Sequence, residues 1–152
     1  MSIWVTRDRP KTDRIACPWL ITKFIDRDAE IHYVPADQVL AHATEVGGTS
    51  FDAPGADYTH QPNPDGPGEW CSFETLLHAY HLDRDLALAE LARIVHAADV
   101  SADVDTHPYG AGLRAIGEGG PQAVKDDHEL LARAAFVYDA LYAHCRATSS
   151  EA

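Results

Sequence analysis

The two halves of the chain carry different hydrophobic periods. In the N-terminal half, apolar positions come in short alternating or extended runs. Ser2–Arg7 alternates and is rich in β-formers, which predicts a strand. Glu30–Val34 predicts a second strand, closed by Pro35, and Thr49–Asp52 a third. Between them, Ile15, Trp19, Ile21, Phe24 and Ile25 recur at helical spacing. Two starts are open for that helix: a cap at Thr12 or Asp13, or a first turn at Pro18. Ala36–Val46 predicts a helix ended by Gly47-Gly48. Ala53–Trp70 is dense in proline and glycine and predicts a long loop, often a functional feature in a compact domain. Beyond it the period becomes helical. Helices are predicted over Ser72–Tyr80, Asp85–Ala98, a short Gly112–Gly117 and a long Lys125–Arg146. Strands first and helices later predict a mixed α/β (α+β) domain. Its small sheet of about three strands would come from the N-terminal half and be covered by about five helices. One domain is expected over residues 1–146, with Ala147–Ala152 a disordered tail.

Charge changes this picture. The 152 residues carry a formal net charge of −12, yet six of the twelve Lys and Arg lie in residues 1–27: Arg7, Arg9, Lys11, Arg14, Lys23 and Arg27. An acidic chain is not expected to bind nucleic acid or an anionic membrane unaided, since phosphate neutralisation needs excess cations. No secretory leader is visible, and no apolar run approaches a membrane span. Cys17, Cys71 and Cys145 are odd in number and far apart. Reduced thiols and a cytoplasmic location are therefore expected.

Three constellations could carry chemistry. The first is the basic stretch Arg9, Lys11 and Arg14, which leads from a strand into a helix start. Backbone N–H groups and guanidinium forks there suit an oxyanion, although pairing with the surplus carboxylates would also explain these cations. The second is a scatter of metal-ligand types. His96 and Asp99 lie about 60° apart on one helix face at the edge of its apolar stripe. With His60 and Glu74 they would supply imidazoles and carboxylates for a divalent transition metal: Zn, Fe or Mn. Asp52, Asp127 and His128 are expected as outer partners of that site, and Asp127 as an acid acting on metal-bound water. Glu74 near a helix start and Asp126 ahead of Glu129 also fit plain capping. The third is Cys17, a redox-thiol candidate beside cations and a helix start, where a lowered pKa would be expected; a small buried residue is the competing reading. No phosphate-binding glycine loop and no G-x-S-x-G elbow is present. Trp4, Trp19 and Trp70 would mark a homodimer interface if exposed, and core if not.

The run Arg9-Pro10-Lys11-Thr12-Asp13-Arg14-Ile15-Ala16-Cys17-Pro18-Trp19-Leu20-Ile21 resembles the opening of the C-terminal domain of the bacterial chromate-resistance protein B family. Phe51–Ala56, Thr59-His60, Cys71–Glu74, Ile94–Asp99 and Tyr138–Tyr142 agree in order. The resemblance implies a role in chromate sensing or detoxification, a form of stress response. It implies chromate or a related small oxyanion as ligand. Longer members of the family carry an N-terminal regulatory region; a chain starting at this domain is expected to act without DNA binding of its own. A metal-dependent enzyme, redox or hydrolytic, with only an indirect link to chromate is the alternative.

Overall fold

The computed structural model describes residues 1–149. β1 (Ile3–Arg7) lies at the centre of a parallel sheet of order β2-β1-β3, with β2 at Glu30–Val34 and β3 at Thr49–Ser50. Ile3 pairs with Glu30 and Arg7 with Val34, so β1 and β2 end level with each other. Parallel neighbours need crossovers, and α1 (Thr12–Leu20) and α2 (Val39–Val46) supply them. Trp4, Val5 and Thr6 are all buried. A central parallel strand is covered on both faces. Val5 packs with Val39, Ala43 and Ala53 under α2. Trp4 joins the larger core formed with α1, α3 (Ser72–Ala79), α4 (Leu86–Asp99), α5 (Gly110–Ala123) and α6 (Asp127–Ser149). The architecture is therefore the expected α+β fold, with six α-helices among the described residues around a three-stranded sheet.

The boundaries show where tertiary contacts overrule local signals. α1 begins at Thr12 and runs through Pro18, rather than starting there. Proline cannot donate to the carbonyl four residues back. That carbonyl, of Arg14, instead accepts a hydrogen bond from the Tyr33 hydroxyl at 2.7 Å. The helix then widens into a π-turn over Ile21–Ile25. α5 is more than twice the expected length despite its glycines. Two of those glycines allow close approach. A Cβ on Gly110 would lie 2.7 Å from the Ala97 Cβ, and one on Gly117 would lie 2.5 Å from Thr12 Oγ1. The long loop is not wholly irregular: β4 (Gln61–Pro62) and β5 (Glu69–Trp70) pair antiparallel within it. α6 continues through Ser149, so Ala147–Ser149 are helical; the rest of the expected tail, 150–152, lies outside the described residues. Trp4 and Trp19 are each 2% exposed and belong to the core, not to a surface, and Trp70 stacks on His78.

Candidate functional site

The site forms where β1 and β3 end, the edge of a parallel sheet at which ligands typically bind. β1 delivers Arg7 there, and the chain after β3 turns at Asp52 with φ +49°. A non-glycine residue in the left-handed region is uncommon and concentrates at functional sites. The strained turn is held by Arg7, whose Nε donates to the Asp52 carbonyl at 2.8 Å. Asp52 Oδ2 accepts from Arg7 Nη2 and from Arg14 Nη1, each at 3.2 Å, and Oδ1 accepts from Ser72 Oγ at 2.7 Å. Asp52, expected as an outer partner, is a buried hub tying β1, α1 and α3 together.

On the open side of this hub lies a cavity of about 650 Å³. Arg7, Arg9, Lys11 and Arg14 all line it, together with the carboxylates Asp8 and Glu118. The three cations singled out in the sequence therefore share one space, and Arg7, from the same basic segment, joins them. Arg9 also has a positive φ, +51°, and its backbone N–H donates to Asp127 Oδ2 at 3.2 Å. Asp127 thus braces the basic loop. Its neighbour His128 packs against Tyr33 and borders a different cavity. Arg14 Nε is buried and has no hydrogen-bond partner.

Behind the hub, three carboxylates face one imidazole nitrogen. His60 Nε2 lies 2.9 Å from Asp99 Oδ2, 3.5 Å from Asp13 Oδ2 and 3.7 Å from Asp52 Oδ1. His60 Nδ1 lies 3.6 Å from Glu69 Oε1. The carboxylates of Asp13 and Asp99 hold the proton on the ring, and its pKa is pushed up to about 11. Burial, reinforced by the charge of Asp99, pushes the Asp13 carboxyl well above its usual range. The sequence offers Asp13 only as a local cap. Asp13, His60 and Asp99 form a group whose ligand atoms are within 4.8 Å of one another.

A second group sits at the start of α3. Cys71 is its N-cap residue, and Glu74 folds back so that its Oε1 accepts from the Cys71 N–H at 3.0 Å. His96 Nδ1 lies 2.5 Å from the same Glu74 oxygen, and His96 Nε2 lies 2.7 Å from Asp103 Oδ2. Burial pulls the His96 pKa down, but the hydrogen bonds to Asp103 and Glu74 outweigh it and leave it raised. Asp103, in the turn after α4, was not foreseen. The four metal ligands expected from sequence are thus not one set. Asp99 goes with His60, and Glu74 with His96, because α4 presents His96 and Asp99 to different neighbours.

For Cys17 the structure favours the small buried residue over the redox thiol. It is fully buried, and burial, reinforced by Asp13, pushes its thiol well above the usual value rather than below it. Its Sγ points to Asp13 Oδ1 at 4.0 Å, so a carboxyl group rather than a cation is its near neighbour. A redox thiolate is not what this environment favours. Cys71 is likewise buried with a raised pKa, from burial first and then from Asp13.

The fold and site define a small α+β domain with a cation-lined cavity at the strand ends, backed by two carboxylate–imidazole clusters. The chain matches the family described as "ChrB, C-terminal domain" over residues 4–145, and it belongs to that family. It is 34% identical over 141 residues to "Protein ChrB" of Cupriavidus metallidurans; the match covers 93% of this chain and 40% of that relative. The chain therefore spans less than half the length of the curated relative it matches. No solved structure matches it. Among the described residues, no helix is long and apolar enough to cross a membrane.

Proposed function

We propose that this domain binds chromate, or a related tetrahedral dianion, in the cavity lined by Arg7, Arg9, Lys11 and Arg14, and that it serves chromate resistance by sensing or handling that anion. The observation that carries this reading is the convergence of four cations on one cavity at the strand ends. Planar guanidinium forks match oxyanion geometry, and two of them are held in position by Asp52. The family likeness supplies the ligand class. Titration of chromate and sulfate by calorimetry tests it. Binding heat that disappears in Arg14→Ala supports the site, whereas absence of heat with both anions overturns it.

A second reading, a metal-dependent enzyme, is favoured by the crowding around His60. One Nε2–H cannot satisfy three carboxylates, and a divalent ion such as Mn, Fe or Zn held by Asp13, His60 and Asp99 would. Elemental analysis before and after chelation, on the parent and on His60→Gln, tests this reading, which expects less bound metal in the variant. A protein free of metal and indifferent to chelator rules this one out.

A further inference from the structure

We propose that Cys71, Glu74 and His96 form a thiolate-containing metal site, separate from the cation-lined cavity and from His60, that takes a thiophilic divalent ion of the Zn(II) type. It stands or falls independently of the anion reading. Three observations combine. First, a sulfur, a carboxylate oxygen and a ring nitrogen lie within 4.8 Å of one another, the donor mixture that thiophilic ions select over Mg or Ca. The arrangement follows from local structure: the Glu74 side chain returns to the Cys71 N–H, which brings its carboxylate beside the thiol, and α4 supplies His96 from across the core.

Second, His96 is oriented as metal-binding histidines are. Its outer nitrogen, Nε2, is held by Asp103 at 2.7 Å, which directs Nδ1 toward Glu74 and Cys71. A carboxylate on the distal nitrogen fixes the tautomer and makes the near nitrogen a better ligand. Third, Glu74, His96 and Asp103 line a cavity of about 240 Å³ that also reaches Trp70 and Arg93. Two of the three ligands, Glu74 and His96, thus border open space, where a position can stay free for water or a small ligand.

The charges balance. A divalent ion with one thiolate and one carboxylate is neutral, which suits a buried position. On binding, the Cys71 thiol proton and the His96 Nδ1 proton leave to solvent, and sulfur and nitrogen lone pairs bond the metal. Burial opposes an isolated thiolate here, so the ion and the positive end of α3 must supply the stabilisation.

Co(II) titration into chelator-treated protein provides the test. A thiolate-to-cobalt charge-transfer band in the near ultraviolet is expected, and it should vanish in Cys71→Ser and persist in His60→Gln. Serine is a good N-cap, so Cys71→Ser keeps the start of α3, and circular dichroism verifies the fold. Zn(II) affinity measured by competition should fall about tenfold or more in Asp103→Asn, which removes no ligand. A band that survives Cys71→Ser, cobalt binding with no such band, or unchanged zinc affinity in both Cys71→Ser and Asp103→Asn overturns the site.

Discussion

Asp13 belongs to α1, yet its carboxylate caps α3: Oδ2 accepts the Ser72 N–H at 2.8 Å and Oδ1 the Phe73 N–H at 3.3 Å. The residue that local pattern offers as the cap of its own helix serves another helix 59 positions away. The start of α1 has no side-chain cap at all. Loss of a helix cap costs about 0.5–2 kcal/mol. Asp13→Ala should reach the upper end of that range, because it also removes a partner of His60. Chemical denaturation would show a lowered midpoint with little change in slope.

Asp52 holds two guanidinium groups. Removing the buried member of an ion pair leaves uncompensated charge, which costs about 3–5 kcal/mol for a fully buried pair. Arg7 is about one-third exposed, so the lower part of that range is expected for Asp52→Ala. Asp52→Ala should also weaken anion binding, since Arg7 and Arg14 lose the group that orients them. Calorimetry with chromate or sulfate reads the second effect separately from stability.

His60 makes stability depend on pH, with a definite sign. A free histidine titrates near about pH 6.5, whereas His60 is pushed up to about 11 by Asp13 and Asp99. The folded state therefore holds the proton more tightly. The stability this contributes is fully present below about pH 6.5 and is lost as pH rises through about 11. The buried Asp13, with a raised pKa, acts in the same direction. In chelator-treated protein, unfolding free energy should decline from neutral to alkaline pH, and His60→Gln should flatten that decline. A pH slope equal in the variant and the parent would contradict the assignment.

Gly117 is where α5 touches the first turn of α1. A Cβ there would sit 2.5 Å from Thr12 Oγ1. Gly117→Ala should destabilise by about 1–3 kcal/mol, the usual effect of overpacking, even though alanine favours helix. A lower thermal midpoint is the expected readout.

Tyr33 and Pro18 form a testable pair. The Tyr33 hydroxyl occupies the Arg14 carbonyl that Pro18 leaves free. Tyr33→Phe should cost about 1 kcal/mol. In a Pro18→Ala background, where a backbone N–H can take that carbonyl, the loss should be smaller. A double-mutant cycle that returned zero coupling would refute the link.

The sequence by itself determined the elements and the raw materials. Alternation marked β1 and β2, and helical spacing marked α1 to α4 and α6. Those signals are legible because they arise between residues a few positions apart. The crowding of Arg9, Lys11 and Arg14 was likewise visible, as were His60, Glu74, His96 and Asp99 as ligand types. Which residues meet was decided only by the tertiary structure. Arg14 reaches Asp52 across 38 positions, and Asp13 reaches Ser72 across 59. No local period encodes such distances. His96 and Asp99, one turn apart on α4, look like partners in the sequence. In the fold they separate, because α3 and its preceding turn offer Glu74 to one, while the long loop brings His60 to the other. Cys17 illustrates the same limit. A helix start and nearby cations suggested a lowered pKa, but packing buried the thiol beside Asp13 and reversed the sign.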